Sequence, residues 1–149
     1  MEVTPTPEAP RTIVLSVPLP LKALGGNSRV HFAVRAKAVA AYKCDVSPAI
    51  LAARPQVPLR TPVVVSYEYF THQLRTGQGR RIPDGHYRPR DYDNAIRAMK
   101  PFQDALVDHG VIPSDSRKFV KLGTVEILSH AESKGQMGVR VTISEAHHA

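Results

Sequence analysis

The segment from Thr61 to Phe70, TPVVVSYEYF, is so dense in β-branched and aromatic residues that it reads as a strand. Any fold for this chain must give that strand sheet partners. Thr12 to Val17, TIVLSV, alternates apolar and polar residues and is closed by Pro18 and Pro20, which cannot donate to a sheet ladder. Phe119 to Ser129 and Gly138 to Ser144 read as two closing strands, near enough in sequence to form a hairpin. Between strands, Phe32 to about Ala53 is rich in Ala, Val and Lys and reads as a helix interrupted near Pro48. A second helical stretch, Asn94 to Asp108, is punctuated by Pro101 and stops before Gly110. The order β-α-β-α-β-β predicts an α/β two-layer sandwich, a mixed sheet with helices mainly on one face. One domain over 1–149 is expected, with tails at 1–10 and 145–149.

Residues 71–90 depart from this pattern. They hold Gly77, Gly79, Pro83 and Gly85 and little that suits a core, so they read as a long loop of the kind that carries function or is disordered. Arg75, Arg80, Arg81, Arg88 and Arg90 lie here, opposed only by Asp84. The whole chain carries 20 Lys and Arg against 13 Asp and Glu, a net charge of +7 that favours polyanionic partners. Arg forks hold phosphates without reading sequence. His72 and His86 fit phosphate contacts or bystanders better than metal ligands, and Tyr87 fits ordinary packing better than base stacking. Asn27 and Arg29, after Gly25 and Gly26, are further candidate DNA contacts, with a simple turn as the alternative.

Several classes are set aside by what the chain lacks. With one cysteine, Cys44, neither an intrachain disulfide nor a Cys-based zinc site is expected, and a small buried apolar role is the default for it. No apolar run reaches the roughly 18 residues of a spanning helix, and Met1 to Pro10 lacks the order of a secretory signal, so a cytoplasmic protein is expected.

The chemistry concentrates in RPRDYDNAIRAMKPFQDALVDHGVIPSDSRKFV, Arg88 to Val120. Asp91 and Asp93 lie two apart, directly after Pro89, and in an extended segment both carboxylates project the same way. At about 4 Å such charges repel by about 4 kcal/mol at an effective dielectric of 20, which calls for a divalent cation, a basic side chain or protonation. Hard oxygen ligands suit Mg²⁺, with Mn²⁺ as substitute. The plain alternative is that Asp93 or Asn94 caps the following helix. An EF-hand is disfavoured because its other ligands and central Gly are missing.

Asp91, Asp93, Asn94, Lys100, Asp104-Ala105-Leu106, Gly110 and Asp115 together resemble the signature of the RusA family of Holliday junction resolvases. In both, a D-x-D-N is followed by a lysine four residues before D-A-L, and by an aspartate five residues after a glycine. The resemblance spans about 30 residues. Two features depart from it: about three extra residues in AIRAM between the D-x-D-N and Lys100, and Ser114 where many relatives are acidic. Three residues are nearly one helical turn, so Lys100 keeps its face, while Arg97 competes for the cation role. The resemblance implies an Mg²⁺-dependent endodeoxyribonuclease, bacterial or bacteriophage-encoded, in recombination and repair. It implies a homodimer making paired symmetric nicks in a four-way junction, with Asp91, Asp93 and Asp115 as metal ligands and Lys100 as catalytic cation. Arg75, Arg80, Arg81, Arg88, Arg90, Arg97, Asn27 and Arg29 would contact DNA. The competing readings are a non-enzymatic DNA-binding dimer and a divalent-metal nuclease for other branched DNA or RNA. One or two metals, and completion of the site by Asp115 in its own or a partner subunit, stay open.

Overall fold

A computed structural model describes residues 9–20, 24, 31–55, 58–70 and 92–146. In chain order these form β1 (Thr12–Val17), α1 (Phe32–Ala53), β2 (Val63–Phe70), α2 (Tyr92–Ala98), α3 (Lys100–Asp108), β3 (Val120–Leu128), α4 (His130–Ser133) and β4 (Gly138–Glu145). The strands make one mixed sheet in the order β1-β4-β2-β3. β4 runs antiparallel to both β1 and β2, while β3 runs parallel to β2. The fold is therefore the expected α/β two-layer sandwich.

Alternation along the strands builds the core. Leu15 and Val17, Val63, Val65, Tyr67 and Tyr69, and Val139, Val141 and Ile143 point toward the helices and are buried. α1 packs on β1 and α3 through Ala38, Tyr42, Val46 and Ile50, and α3 adds Phe102, Ala105 and Leu106. Two phenols fasten helices and loops to strands: Tyr42 donates to Pro18 O at 2.6 Å, and Tyr69 to Ala95 O at 2.5 Å. The other sheet face is largely polar, with Thr12 and Ser16 exposed and Ser66, Glu68, Arg140 and Thr142 half-buried.

Four local expectations are corrected. Pro48 does not interrupt α1, which runs through it as 22 residues. Pro48 lies on the solvent side of α1, so the carbonyl left without its N–H partner is on the side where water can serve it. Cys44 is exposed, because α1 turns Tyr42 and Val46 inward and leaves Cys44 between them outward. β3 and β4 are not a hairpin, since β2 lies between them. The intervening α4 is started by a capping box, in which Ser129 Oγ accepts from Glu132 N at 3.1 Å and Glu132 accepts from Ser129 N at 3.2 Å. Finally, Glu145 is the buried last residue of β4 and no part of a tail. Its carboxylate accepts from the backbone N–H groups of Arg11 at 2.8 Å and Arg60 at 2.5 Å, and both guanidinium groups pair with it. Desolvation pushes its pKa up, but those donors outweigh it and hold the value at about 2.

Candidate active site

The stretch carrying the carboxylates forms two short helices with a break at Met99. α2 starts at Tyr92, so Asp93 stands in a helical first turn and not in an extended segment. That corrects the expectation of extended chain at Asp93, while Asp91, the other half of the pair, lies outside the described residues. An acidic side chain suits the positive end of a helix, so the sequence that offers ligands also offers a helix start. Asp93 and Arg97 are both exposed. Asp91, Asn27, Arg29 and the cluster Arg75, Arg80, Arg81, Arg88 and Arg90 lie outside the described residues, as do His72, His86 and Tyr87.

α3 brings distant residues together. Its first residue, Lys100, places Nζ 2.9 Å from Asp104 Oδ1, the i,i+4 partner. At its far end the helix closes in a Schellman turn, with Val111 N donating to Leu106 O at 2.9 Å and Gly110 N to Val107 O at 3.0 Å. Gly110 adopts φ +74°, where a Cβ would be strained. Leu106 and Val111 are both buried, the apolar contact this motif favours. The chain then doubles back along α3, anchored by buried Ile112, and delivers Asp115 to the Lys100 ammonium.

Asp115 is held by an ion pair. Its Oδ2 is shielded from solvent and meets the Lys100 ammonium. Lys100 itself stays more than half exposed, at 57%. Ser114 is a local turn former, accepting from Ser116 N at 3.2 Å.

Beside this ion cluster lies an open concavity of about 490 Å³, lined by Ile96, Gln103, Asp115, Arg117, Val120, Lys121 and Leu122. Gln103 is oriented by its Nε2, which donates to Tyr67 Oη at 2.8 Å. Burial pushes the Tyr67 phenol up to about 12 despite that hydrogen bond, so it remains neutral at working pH. Sequence reasoning passed over Gln103, Arg117 and Lys121. The two cations had a legible signal, three basic residues within five positions shortly after Asp115, but the larger Arg cluster upstream outweighed it. Gln103 had none, because its partner Tyr67 is 36 positions away.

Among the described residues no group of three His, Cys, Asp or Glu is placed to hold a metal ion. Asp115 nonetheless fits a cation ligand, being a half-buried carboxylate whose shielded Oδ2 already faces a cation, the Lys100 ammonium. No family model matches the chain, and no curated protein matches it significantly. No helix among the described residues is long and apolar enough to cross a membrane.

Proposed function

We propose that this chain is an Mg²⁺-dependent endonuclease that resolves four-way DNA junctions by paired nicks, acting as a homodimer. The observation that carries the reading is the meeting of Lys100, Asp104 and Asp115 at one end of α3, beside an open cationic concavity. These are the residues whose spacing resembles the RusA signature. Asp91, Asp93 and Asp115 would hold the metal. When bound, Mg²⁺ acidifies a water and stabilises charge on the phosphate oxygens. Lys100 pairs with Asp115 and would present its exposed ammonium to the attacking water or the phosphate. The basic residues supply sequence-independent hold on the backbone. A two-fold dimer offers one site to each of two strands, which accounts for paired nicks. The reading implies a cytoplasmic protein of bacterial or bacteriophage origin.

The full-length protein with a synthetic four-way junction and Mg²⁺ tests this, beside flap, Y-shaped, linear duplex and RNA substrates. Symmetric nicks confined to the junction are expected. Equal cutting of flaps or RNA would leave a broader metal nuclease, and no cutting of any substrate would remove the enzymatic reading. One observation favours a second reading, a non-enzymatic DNA-binding dimer: Lys100 already pairs with both Asp104 and Asp115, as in a purely structural ion cluster. Calorimetric titration with Mg²⁺ separates the two, since a structural cluster takes up none.

A further inference from the structure

We infer that the concavity between α3 and β3 is a nucleic-acid backbone subsite in which Arg117 and Lys121 hold a strand phosphate next to the one presented to Asp115. The inference rests on the nuclease reading for the role of Asp115. Its own support is the state of the two cations. Arg11, Lys43, Arg60, Lys100 and Arg140 pair with a carboxylate, while Lys37, Arg54, Lys118 and Lys134 form no ion pair among the described residues and do not border the concavity. Arg117 and Lys121 form no ion pair among the described residues, although both border a concavity with Asp115 at its edge. Lys118, between them, turns away to lie over the Phe119 ring at 5.6 Å and does not border it.

The remaining lining suits a nucleotide strand better than a simple anion. A volume of about 490 Å³ falls in the size range of small-ligand sites, roughly 300–1,000 Å³, far more than one phosphate needs. Ile96 and half-exposed Leu122 give it an apolar wall for a sugar or base, and Gln103 gives a fixed amide. The backbone contributes too. β3 is an edge strand, and it carries one extra residue opposite Val65–Tyr67 of β2. Gly123 fits there because a Cβ would come within 2.2 Å of Ser66 Oγ and 2.8 Å of Val64 Cγ1. Such a bulge bends and twists its strand, and consecutive Lys121 and Leu122 next to it both border the concavity.

The test measures affinity of the full-length protein for a four-way junction at several salt concentrations without divalent cation. For Arg117→Ala with Lys121→Ala, losing that phosphate contact should flatten the slope of log K against log salt by about 0.9 and weaken binding several-fold at moderate salt. Arg117→Lys with Lys121→Arg should keep the slope, and Lys118→Ala should match wild type. An unchanged slope in a folded double-alanine variant overturns the subsite. Equal flattening by Lys118→Ala overturns it as well, since general surface charge would then suffice. If wild type fails to nick junctions in Mg²⁺ while the slope still flattens, the nuclease reading falls and Arg117 and Lys121 stand as a DNA contact.

Discussion

Glu145 and Asp115 both have carboxylate oxygens withdrawn from water, and the chain neutralises them in different ways. Glu145 ends a central strand and is met by two backbone N–H groups and two guanidinium groups, which hold it charged down to about pH 2. Asp115 sits at a helix-to-strand connection, with a solvent-shielded oxygen whose charged partner is one largely exposed lysine. A carboxylate saturated by fixed donors clamps strand ends and has nothing left for a ligand. One matched to a single flexible ammonium can exchange that partner for a metal. On the proposed function, the first cluster serves stability and the second chemistry, and substitutions in each should separate the two.

The largest effect is expected at Asp115. Asp115→Asn should lower single-turnover cleavage of a junction by about a thousandfold or more, the scale of several kcal/mol of transition-state charge stabilisation. Junction binding should hold or strengthen, because one negative charge leaves the phosphate path. Wild-type cleavage by this variant in Mg²⁺ would break the comparison on its functional side.

Next comes the cation. Lys100→Ala should lower turnover roughly a hundredfold, the scale of losing one charged donor, and by more than Arg97→Ala does. Its effect on stability should stay within about 1–2 kcal/mol, since the Asp104 pair is exposed but Asp115 Oδ2 would be left shielded without its charged partner. A larger catalytic loss at Arg97, with folding and binding unchanged, would transfer the role to Arg97.

Glu145→Gln should do the reverse. We expect a loss of about 2 kcal/mol in denaturant unfolding, near thirtyfold in the folding equilibrium, with cleavage by the folded fraction unchanged. The pH dependence has a definite sign. A carboxylate lowered from 4.5 to about 2 contributes stability that is fully present above pH 4.5 and is lost as pH falls toward 2. Wild type should therefore lose stability through that window more steeply than Glu145→Gln. Parallel curves would show that Glu145 is not the clamp described.

What was legible in the sequence follows the range of the interactions. β2 was readable because its β-branched density allows little else, and the Gly110 stop because a left-handed residue after a helix leaves a local mark. The Lys100–Asp104 pair follows from an i,i+4 spacing. Glu145 was misread as tail because its donors lie 134 and 85 positions away, at Arg11 and Arg60. The supposed β3–β4 hairpin failed for a related reason. Sequence neighbours pair only when nothing inserts, and here β2 takes the place between them. Pro48 was read as a break although its cost depends on which way the helix faces, which periodicity could not give along an Ala-rich α1.

The smallest expected effect lies within the second cluster, at Asp104, and it sharpens what the Lys100 ammonium is shared for. Lys100 contacts Asp104 and Asp115 at once, so Asp104 draws it partly away from the oxygen proposed to meet the metal. Asp104→Asn removes that pull. Stability should change by no more than about 0.5 kcal/mol, the worth of an exposed i,i+4 pair. Lys100 should then settle more fully on Asp115 and compete better with the cation. The Mg²⁺ concentration for half-maximal cleavage should rise a few-fold, on the order of the same 0.5 kcal/mol, while the rate at saturating Mg²⁺ stays near wild type. A fall in the Mg²⁺ requirement would mean that Asp104 holds Lys100 against Asp115 instead of sharing it. A lost rate that saturating Mg²⁺ does not restore would place Asp104 among the residues that position Lys100 for the reaction.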